Sequence, residues 1–224
     1  MGEAGRREPF AVKDCAVTAL ATGEDAWTLR ELRDRLSRVP AGSLYYHFQG
    51  RLLRPVFEVR EFNNDLADWA AFSLRDPVLA ERLSLLDPAE FEGLEALRDE
   101  LIELIEERIA ENGPPRTLPA DRPFRFIEGQ IVVFDTHRRI DEPGELGVLC
   151  RDLSRGSVYY HFVDARYRNP DGRDDFQRWL DQFGPEVADL QTRLSSVDVY
   201  FSTLDQLRDR LTDLCGALRA PEDG

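Results

Sequence analysis

The sequence predicts an all-α protein, built as a tandem duplication of a roughly six-helix unit and packed with approximate two-fold pseudo-symmetry. The main observation is a repeated segment, because residues 42–48 (GSLYYHF) return at residues 156–162 as GSVYYHF. The same shift of 114 residues places Pro9-Phe10 on Pro123-Phe124, so the duplication extends well beyond seven residues. A second observation is that leucines recur at three- and four-residue steps near the end of each copy, as in an amphipathic helix.

The duplication predicts two repeats joined by a proline-rich linker. Gly113 and the prolines that follow it end a helix and favour an extended connection. Both ends of the chain are polar and are expected to be frayed. The predicted boundaries are 1–8 for the frayed N-terminus, 9–112 for repeat 1, 113–122 for the linker, 123–219 for repeat 2 and 220–224 for the frayed C-terminus.

The first element of each repeat is an apolar run, at residues 10–21 and 124–134. Both runs are long for strands and are predicted to be helices. Residues 130–134 (QIVVF) are rich in β-branched side chains, so a strand is a real alternative there. The run at residues 15–21 (CAVTALA) suits a helix better, and it decides the prediction for both copies.

The second helix has a start signal in each copy. Thr28 and Glu31 form the pattern of a capping box, in which each side chain accepts a hydrogen bond from the other residue's backbone N–H. The second copy has Asp141 or Glu142 at this point, followed by Pro143 at the first helical position. Different residues therefore predict the same helix start.

The third helix carries the YYHF motif and is predicted to be capped by Ser43 or Ser157. It should end near Arg54 and Arg168, because a proline follows each arginine within two residues. Three further helices complete each repeat. The fourth helix begins at Asn64-Asp65 or Asp174-Asp175, and the fifth helix ends at the similar segments 82–87 and 193–198. The last helix carries the leucine stripe around Leu97 or Leu207.

A polar constellation on the third helix is the candidate site. His47 and Arg54 lie seven residues apart, which places them on one helix face, and His161 and Arg168 repeat this spacing. An Asp-to-His contact with the fourth helix is geometrically plausible and would fix the imidazole tautomer. The candidate ligand-binding or structural residues are Tyr45, Tyr46, His47, Arg54 and Asp65, with Tyr159, Tyr160, His161, Arg168 and Asp175 in the second copy.

The residues alone favour a structural role for this constellation, since a histidine among aromatic side chains is usually a packed and hydrogen-bonded core residue. The functional alternative is a small-molecule site between the repeats, in which the histidines act as acid or base and the arginines hold an anion. The sequence does not identify the catalytic residues of such a site.

Other site classes have no support in the sequence. The histidines and cysteines lack zinc-ligand spacing, so no metal is predicted, and no cofactor motif of the GxGxxG or GxxxxGK[ST] type occurs. With a formal net charge of −14, the chain is predicted to bind neither nucleic acid nor a membrane surface. The absence of a long apolar stretch and of a signal-peptide pattern predicts a cytoplasmic protein. Its three cysteines are expected to be free and buried.

The duplicated GS[LV]YYHF motif, the following [ND]D[LF]xxW and the terminal LxxLRDxL resemble an uncharacterised bacterial family of unknown function. The resemblance covers nearly the whole chain and implies a helical bacterial protein without an assigned activity. The favoured hypothesis is a non-enzymatic protein-interaction or scaffold module with an unidentified protein partner. The alternative is an acid/base enzyme, or a protein that binds a small anionic ligand.

Overall fold

The computed structural model describes residues 7–54, 61–112, 119–200 and 202–218. These ranges contain two long strands and eleven α-helical segments. The strands are β1 (Phe10–Ala26) and β2 (Phe124–Ile140), which pair in a two-stranded sheet. They run antiparallel, because Thr18 Oγ1 donates to the carbonyl of Gln130 while Thr22 Oγ1 donates to that of Phe126.

The all-α prediction is therefore wrong: the protein is mixed α/β, and the first predicted helix of each repeat is a strand. Local helix propensity in the alanine-rich run 15–21 was outweighed by pairing with a strand about a hundred residues away. Alternation at the start of each strand carried the correct signal, since Phe124 and Phe126 are buried while Arg125 is exposed. The predicted unit of six helices is correspondingly replaced by a strand followed by helices.

The chain forms two compact units. The first unit is Val17–Ile131, and the second unit combines Met1–Ala16 with Val132–Gly224. Each unit contains the helices of one sequence repeat and a part of both strands. The repeat boundaries predicted from the sequence describe the duplication, whereas the compact units divide both strands.

The helices of the first unit enclose a core of leucine, alanine and aromatic side chains. Leu97, Leu101 and Ile105 are fully buried, as expected for the apolar stripe of the last helix. The helices are α1 (Leu29–Leu36), α2 (Ala41–His47), α3 (Asp65–Phe72), α4 (Pro77–Ser84) and α5 (Leu94–Asn112), with short 3₁₀ turns at Gln49–Leu53 and Pro88–Glu90.

The second unit repeats this order with shorter helices. Leu207 and Leu211 of its last helix are buried, matching the stripe of the first unit. The helices are α6 (Leu146–Arg151), α7 (Arg155–Val158), α8 (Ala165–Arg168), α9 (Asp175–Leu180), α10 (Ala188–Ser195) and α11 (Leu204–Gly216). A π-helical segment at Tyr159–Asp164 joins α7 to α8, and 3₁₀ turns lie at Pro143–Glu145 and Pro185–Val187.

The predicted starts of the second helix in repeat 1 and of the fourth helix in both repeats are confirmed. Thr28 and Glu31 form the capping box of α1, and Asn64 and Asp174 accept backbone N–H groups at the starts of α3 and α9. The predicted third helix is partly wrong, because it begins before the expected serine caps. Pro40 precedes α2 without a side-chain cap, and Ser154 caps α7.

The third helix also differs between the copies. In the first unit it stops at His47 and continues as a 3₁₀ turn, with Phe48 at φ −103° and ψ −83° between them. In the second unit it runs without a break from α7 through the π-helical segment to α8. The region around the motif is therefore helical in both copies, with different hydrogen-bond periods.

All three cysteines are buried. Burial raises the pKa of the Cys15 thiol to about 12, and its Sγ donates to the carbonyl of Gly156 at 3.3 Å. Cys150 and Cys215 have their sulfur atoms 3.8 Å apart between α6 and α11. These thiols pack as small apolar groups.

The prolines of the predicted linker at 114 and 115 lie outside the described residues, as do the predicted frayed residues 1–6 and 220–224. Among the helices that the structure describes, none combines the length and the apolar character that a membrane crossing requires.

Candidate functional site

His47 ties α2 to β2 and to the start of α3. Its Nδ1 lies 2.8 Å from Oδ2 of Asp65, so the Asp-to-His contact expected from the sequence is present. Its Nε2 accepts the backbone N–H of Ile127 at 3.1 Å. The imidazole is 4% exposed and packs against the ring of Phe124, with 4.7 Å between the ring centroids.

His161 makes the same contacts in the second unit. Its Nδ1 lies 2.8 Å from Oδ2 of Asp175, and its Nε2 accepts the backbone N–H of Lys13 at 2.8 Å. The ring is 2% exposed and lies 4.8 Å from the ring of Phe10. Lys13 and Ile127 are themselves separated by 114 residues, so the backbone partner is duplicated together with the histidine.

The backbone partner fixes the tautomer of both rings. A backbone N–H can only donate, so Nε2 of each histidine must be the unprotonated acceptor. The proton then sits on Nδ1 and is donated to the carboxylate of Asp65 or Asp175. Both ring nitrogens are thus used within the unit, and a proton added at Nε2 would break the bond to the strand.

An arginine and a tyrosine complete the constellation in the first unit. Arg54 Nη2 donates to both carboxylate oxygens of Asp65 at 2.7 Å, and its guanidinium lies 4.6 Å from the centre of the Tyr46 ring. Burial alone would raise the pKa of Asp65, but the hydrogen bond from His47 and the charge of Arg54 outweigh it, and the pKa lies below its usual range. Asp65 is therefore ionised and paired.

The second unit holds the equivalent groups. Arg168 Nη2 lies 3.0 Å from Oδ2 of Asp175, and the guanidinium stacks 4.3 Å from the centre of the Tyr160 ring. Burial opposes ionisation of Asp175, yet the hydrogen bond from His161 and the charge of Arg168 lower its pKa. Of the other two candidates, Tyr159 is fully buried and Tyr45 is half-buried.

One further hydrogen bond anchors the chain just before each strand. Trp69 Nε1 donates to the carbonyl of Arg122 at 2.8 Å, and Trp179 Nε1 donates to that of Glu8 at the same distance. The chain is thus held at three points over six residues: a carbonyl bound by tryptophan, a phenylalanine ring against histidine, and an N–H bound by histidine.

The glycine that opens the motif allows this approach. A Cβ added to Gly156 would lie 2.2 Å from the carbonyl oxygen of Cys15, so a side chain would push the helix from β1. A Cβ added to Gly42 would lie 3.1 Å from the carbonyl oxygen of Gly129, a tight contact with β2. Glycine brings the helix onto the strand edge, and the histidine five residues later reaches the backbone N–H.

Sequence reasoning missed the strand residues and some charged partners. Arg51 is 3% exposed and pairs with Asp65 at 3.3 Å and with Asp68 at 2.6 Å. In the second copy, Ala165 and Arg178 stand at the positions of Arg51 and Asp68. The ion pair between Arg51 and Asp68 therefore belongs to the first unit. The repeated Pro-Phe dipeptide was a sequence signal for the strand. The backbone N–H groups of residues 13 and 127, which bind the histidines, had no such signal in the sequence.

The arrangement can hold a strand, and within the described residues it offers little for catalysis. Each histidine has both nitrogens engaged, and each arginine of the constellation is bound to a carboxylate. Among the described residues, no three His, Cys, Asp or Glu side chains are grouped to hold a metal ion.

A family model for a family of unknown function, DUF5752, matches residues 7–216. The chain belongs to this family. It is also similar to a solved structure, OrfY from Thermoproteus tenax, with 27% sequence identity and a TM-score of 0.80. That alignment covers 95% of this chain and 96% of OrfY. None of the curated proteins matches the chain.

Proposed function

We propose that this protein is a non-enzymatic interaction or scaffold module that binds another protein. The observation that carries the proposal is the double engagement of each histidine, which donates from Nδ1 to an aspartate and accepts at Nε2 from a strand. A general base needs a free lone pair within reach of its substrate, and these rings have none. The repeated GS[LV]YYHF motif is thus accounted for by its role in holding the strand to the helices.

The alternative of a small anionic ligand is less well supported. Arg54 and Arg168, its anion-binding candidates, already contact Asp65 and Asp175. The charge of each guanidinium is already balanced by a partly buried carboxylate, so an added anion would have to compete with that carboxylate for the guanidinium charge. A protein partner needs no such competition.

The test is recovery of a partner from the organism that encodes the chain. We expect a tagged chain to retain one protein reproducibly, and the purified pair to form a complex by size-exclusion chromatography and calorimetry. A metabolite screen by thermal shift is the counter-test, because a ligand at about a hundred times its Kd adds about 2.7 kcal/mol to stability. A metabolite that stabilises and is converted by the chain, but not by an Arg54→Ala variant, would contradict the proposal.

A further inference from the structure

Large apolar side chains are exposed on the α3–α4 hairpin of the first unit. Phe72 is 60% exposed, Val78 is 41% exposed and Leu85 is 76% exposed. The ring of Phe62 lies 6.1 Å from that of Phe72 and extends the apolar surface. We call Phe62, Phe72, Val78 and Leu85 the hairpin patch.

The two helices of the hairpin are antiparallel, so Phe72 at the end of α3 and Val78 at the start of α4 lie at the same end of the hairpin. Asn64 Nδ2 donates to the carbonyl of Leu83 at one end, and the N–H of Asp76 donates to the carbonyl of Ala70 at the other. Val78 lies on α4 and Leu85 is its C-cap residue, seven positions later, so the two lie on the same side of the helix and are separated by about 10 Å along its axis. An apolar strip of this length matches two turns of a partner helix.

The second repeat provides an internal control for the patch. Trp69 and Trp179 align α3 with α9, which places Gln182 at the position of Phe72. The segments RLSLL at 82–86 and RLSSV at 193–197 align the next helix, which places Asp189 and Ser196 at the positions of Val78 and Leu85. The same fold is thus built with polar residues there, so folding does not require the exposed apolar side chains.

The charges beside the patch indicate the chemistry of its occupant. Glu61 precedes Phe62, and Glu81 lies between Val78 and Leu85 on the exposed side of α4. Neither carboxylate makes an ion pair within the described part of the chain, whereas the neighbouring cations Arg75 and Arg82 are paired with Asp121 and Glu111. A second copy of the chain would bring a further net charge of −14, which disfavours self-association through this surface.

We propose that the hairpin patch docks an amphipathic helix of a partner protein, with apolar residues at i, i+3 or i+4 and i+7 and with Lys or Arg beside them. The inference deepens the proposed function and rests on it. The apolar residues would lie along Phe72, Val78 and Leu85, while the basic residues would face Glu61 and Glu81. This is helix recognition by an apolar surface with complementary charge.

The test is selection of a phage-displayed library of helical peptides on the full chain. The main variant combines Phe72→Gln, Val78→Asp and Leu85→Ser, which introduces the residues of the second repeat at the same positions. The control variant combines Asp189→Ala and Ser196→Ala, two exposed positions in the second unit. Circular dichroism melting shows that each variant folds, and fluorescence anisotropy measures binding of a selected peptide.

We expect the selected peptides to be basic and amphipathic, to lose at least about tenfold in affinity for the main variant, and to bind the control variant as they bind the wild type. A tenfold loss corresponds to about 1.4 kcal/mol. Acidic peptides, no enriched peptides, or equal affinity for the main variant would overturn the inference. A wild-type dimer that the main variant converts to a monomer would also overturn it, since the occupant would then be a second copy.

The outcome separates this inference from the proposed function. If the wild type and the main variant retain the same natural partner equally, the interaction function stands and the hairpin patch is not its site. If the wild type retains no partner and no peptide, both fail.

Discussion

Nε2 of His47 accepts the backbone N–H of Ile127, and 114 residues along the chain Nε2 of His161 accepts that of Lys13. By sequence, each histidine belongs to one repeat and its strand partner belongs to the other. The repeated motif therefore binds the helices of one repeat to the strand that begins the other. This relationship explains why glycine, histidine and tryptophan recur together in both copies.

Replacing either histidine should destabilise the protein. His47→Ala would leave the N–H of Ile127 without an acceptor and remove a donor from partly buried Asp65, at a cost of roughly 2–4 kcal/mol. His161→Ala should cost a similar amount, and the double variant should show the sum because the two sites share no residue. Thermal unfolding followed by circular dichroism measures these losses.

Arg30→Ala is the matched control, because this side chain is exposed on α1 and should change stability by less than about half a kcal/mol. Histidine variants that melt like this control would show that the contacts contribute nothing to folding.

Asp174 should make stability depend on pH in the opposite direction to an ordinary paired carboxylate. Burial raises the pKa of its carboxyl group above the ordinary range of an aspartate, to about 6. The folded state therefore holds this proton more tightly than the unfolded state, so the contribution of Asp174 to stability is fully present below about pH 4 and is lost as the pH rises through 6. Asn64 occupies the equivalent cap in the first unit.

Asp174→Asn should keep the cap of α9 and remove this dependence. We expect a gain on the order of 1–3 kcal/mol at pH 8 and little change at pH 4, measured by urea unfolding at both values. Asn64→Asp is the reverse substitution and should lose stability at pH 8. A variant whose gain is the same at both pH values would disprove the assignment to Asp174.

The left-handed positions in the two strands provide a backbone test. Gly23 has φ +78°, and His137, at the equivalent position of the second copy, has φ +62°. A Cβ at Gly23 would meet no atom within 4 Å, so Gly23→Ala should cost about 1 kcal/mol through backbone strain alone. His137→Gly should be neutral or gain up to about 1 kcal/mol. Equal losses for the two substitutions in melting experiments would contradict this account.

Leu97 tests the core of the first unit. It is fully buried in the first turn of α5, so Leu97→Ala should cost roughly 2–5 kcal/mol. Glu100→Ala, an exposed change on the same helix, is the control. Denaturant unfolding would contradict the assignment if the leucine variant lost less than about half a kcal/mol.

Local signals in the sequence predicted much of the helical part of the fold. The capping box at Thr28, the caps at Asn64 and Asp174 and the leucine stripes each depend on residues a few positions apart. The His47–Asp65 contact was also predictable, because both side chains lie near one end of neighbouring helices. Such features are set by local spacing and appear directly in the sequence.

The strands were not predictable in the same way. The alanine-rich run at 15–21 favours a helix locally, and only pairing with residues more than a hundred positions away makes it a strand. The partners of both histidines are backbone N–H groups, which leave no mark on residue identity. Without the strands, the histidines could be placed beside aspartates while their second contact stayed hidden.

The protonation pattern of His47 and His161 tests the central claim most directly. Long-range ¹H–¹⁵N NMR of the imidazoles near neutral pH distinguishes a protonated Nδ1 from a protonated Nε2. The account predicts that both rings carry the proton on Nδ1 alone and that Nε2 is unprotonated, while exposed His137 serves as the internal reference. A proton on Nε2 of either ring would contradict the account, because that nitrogen could not accept the strand N–H.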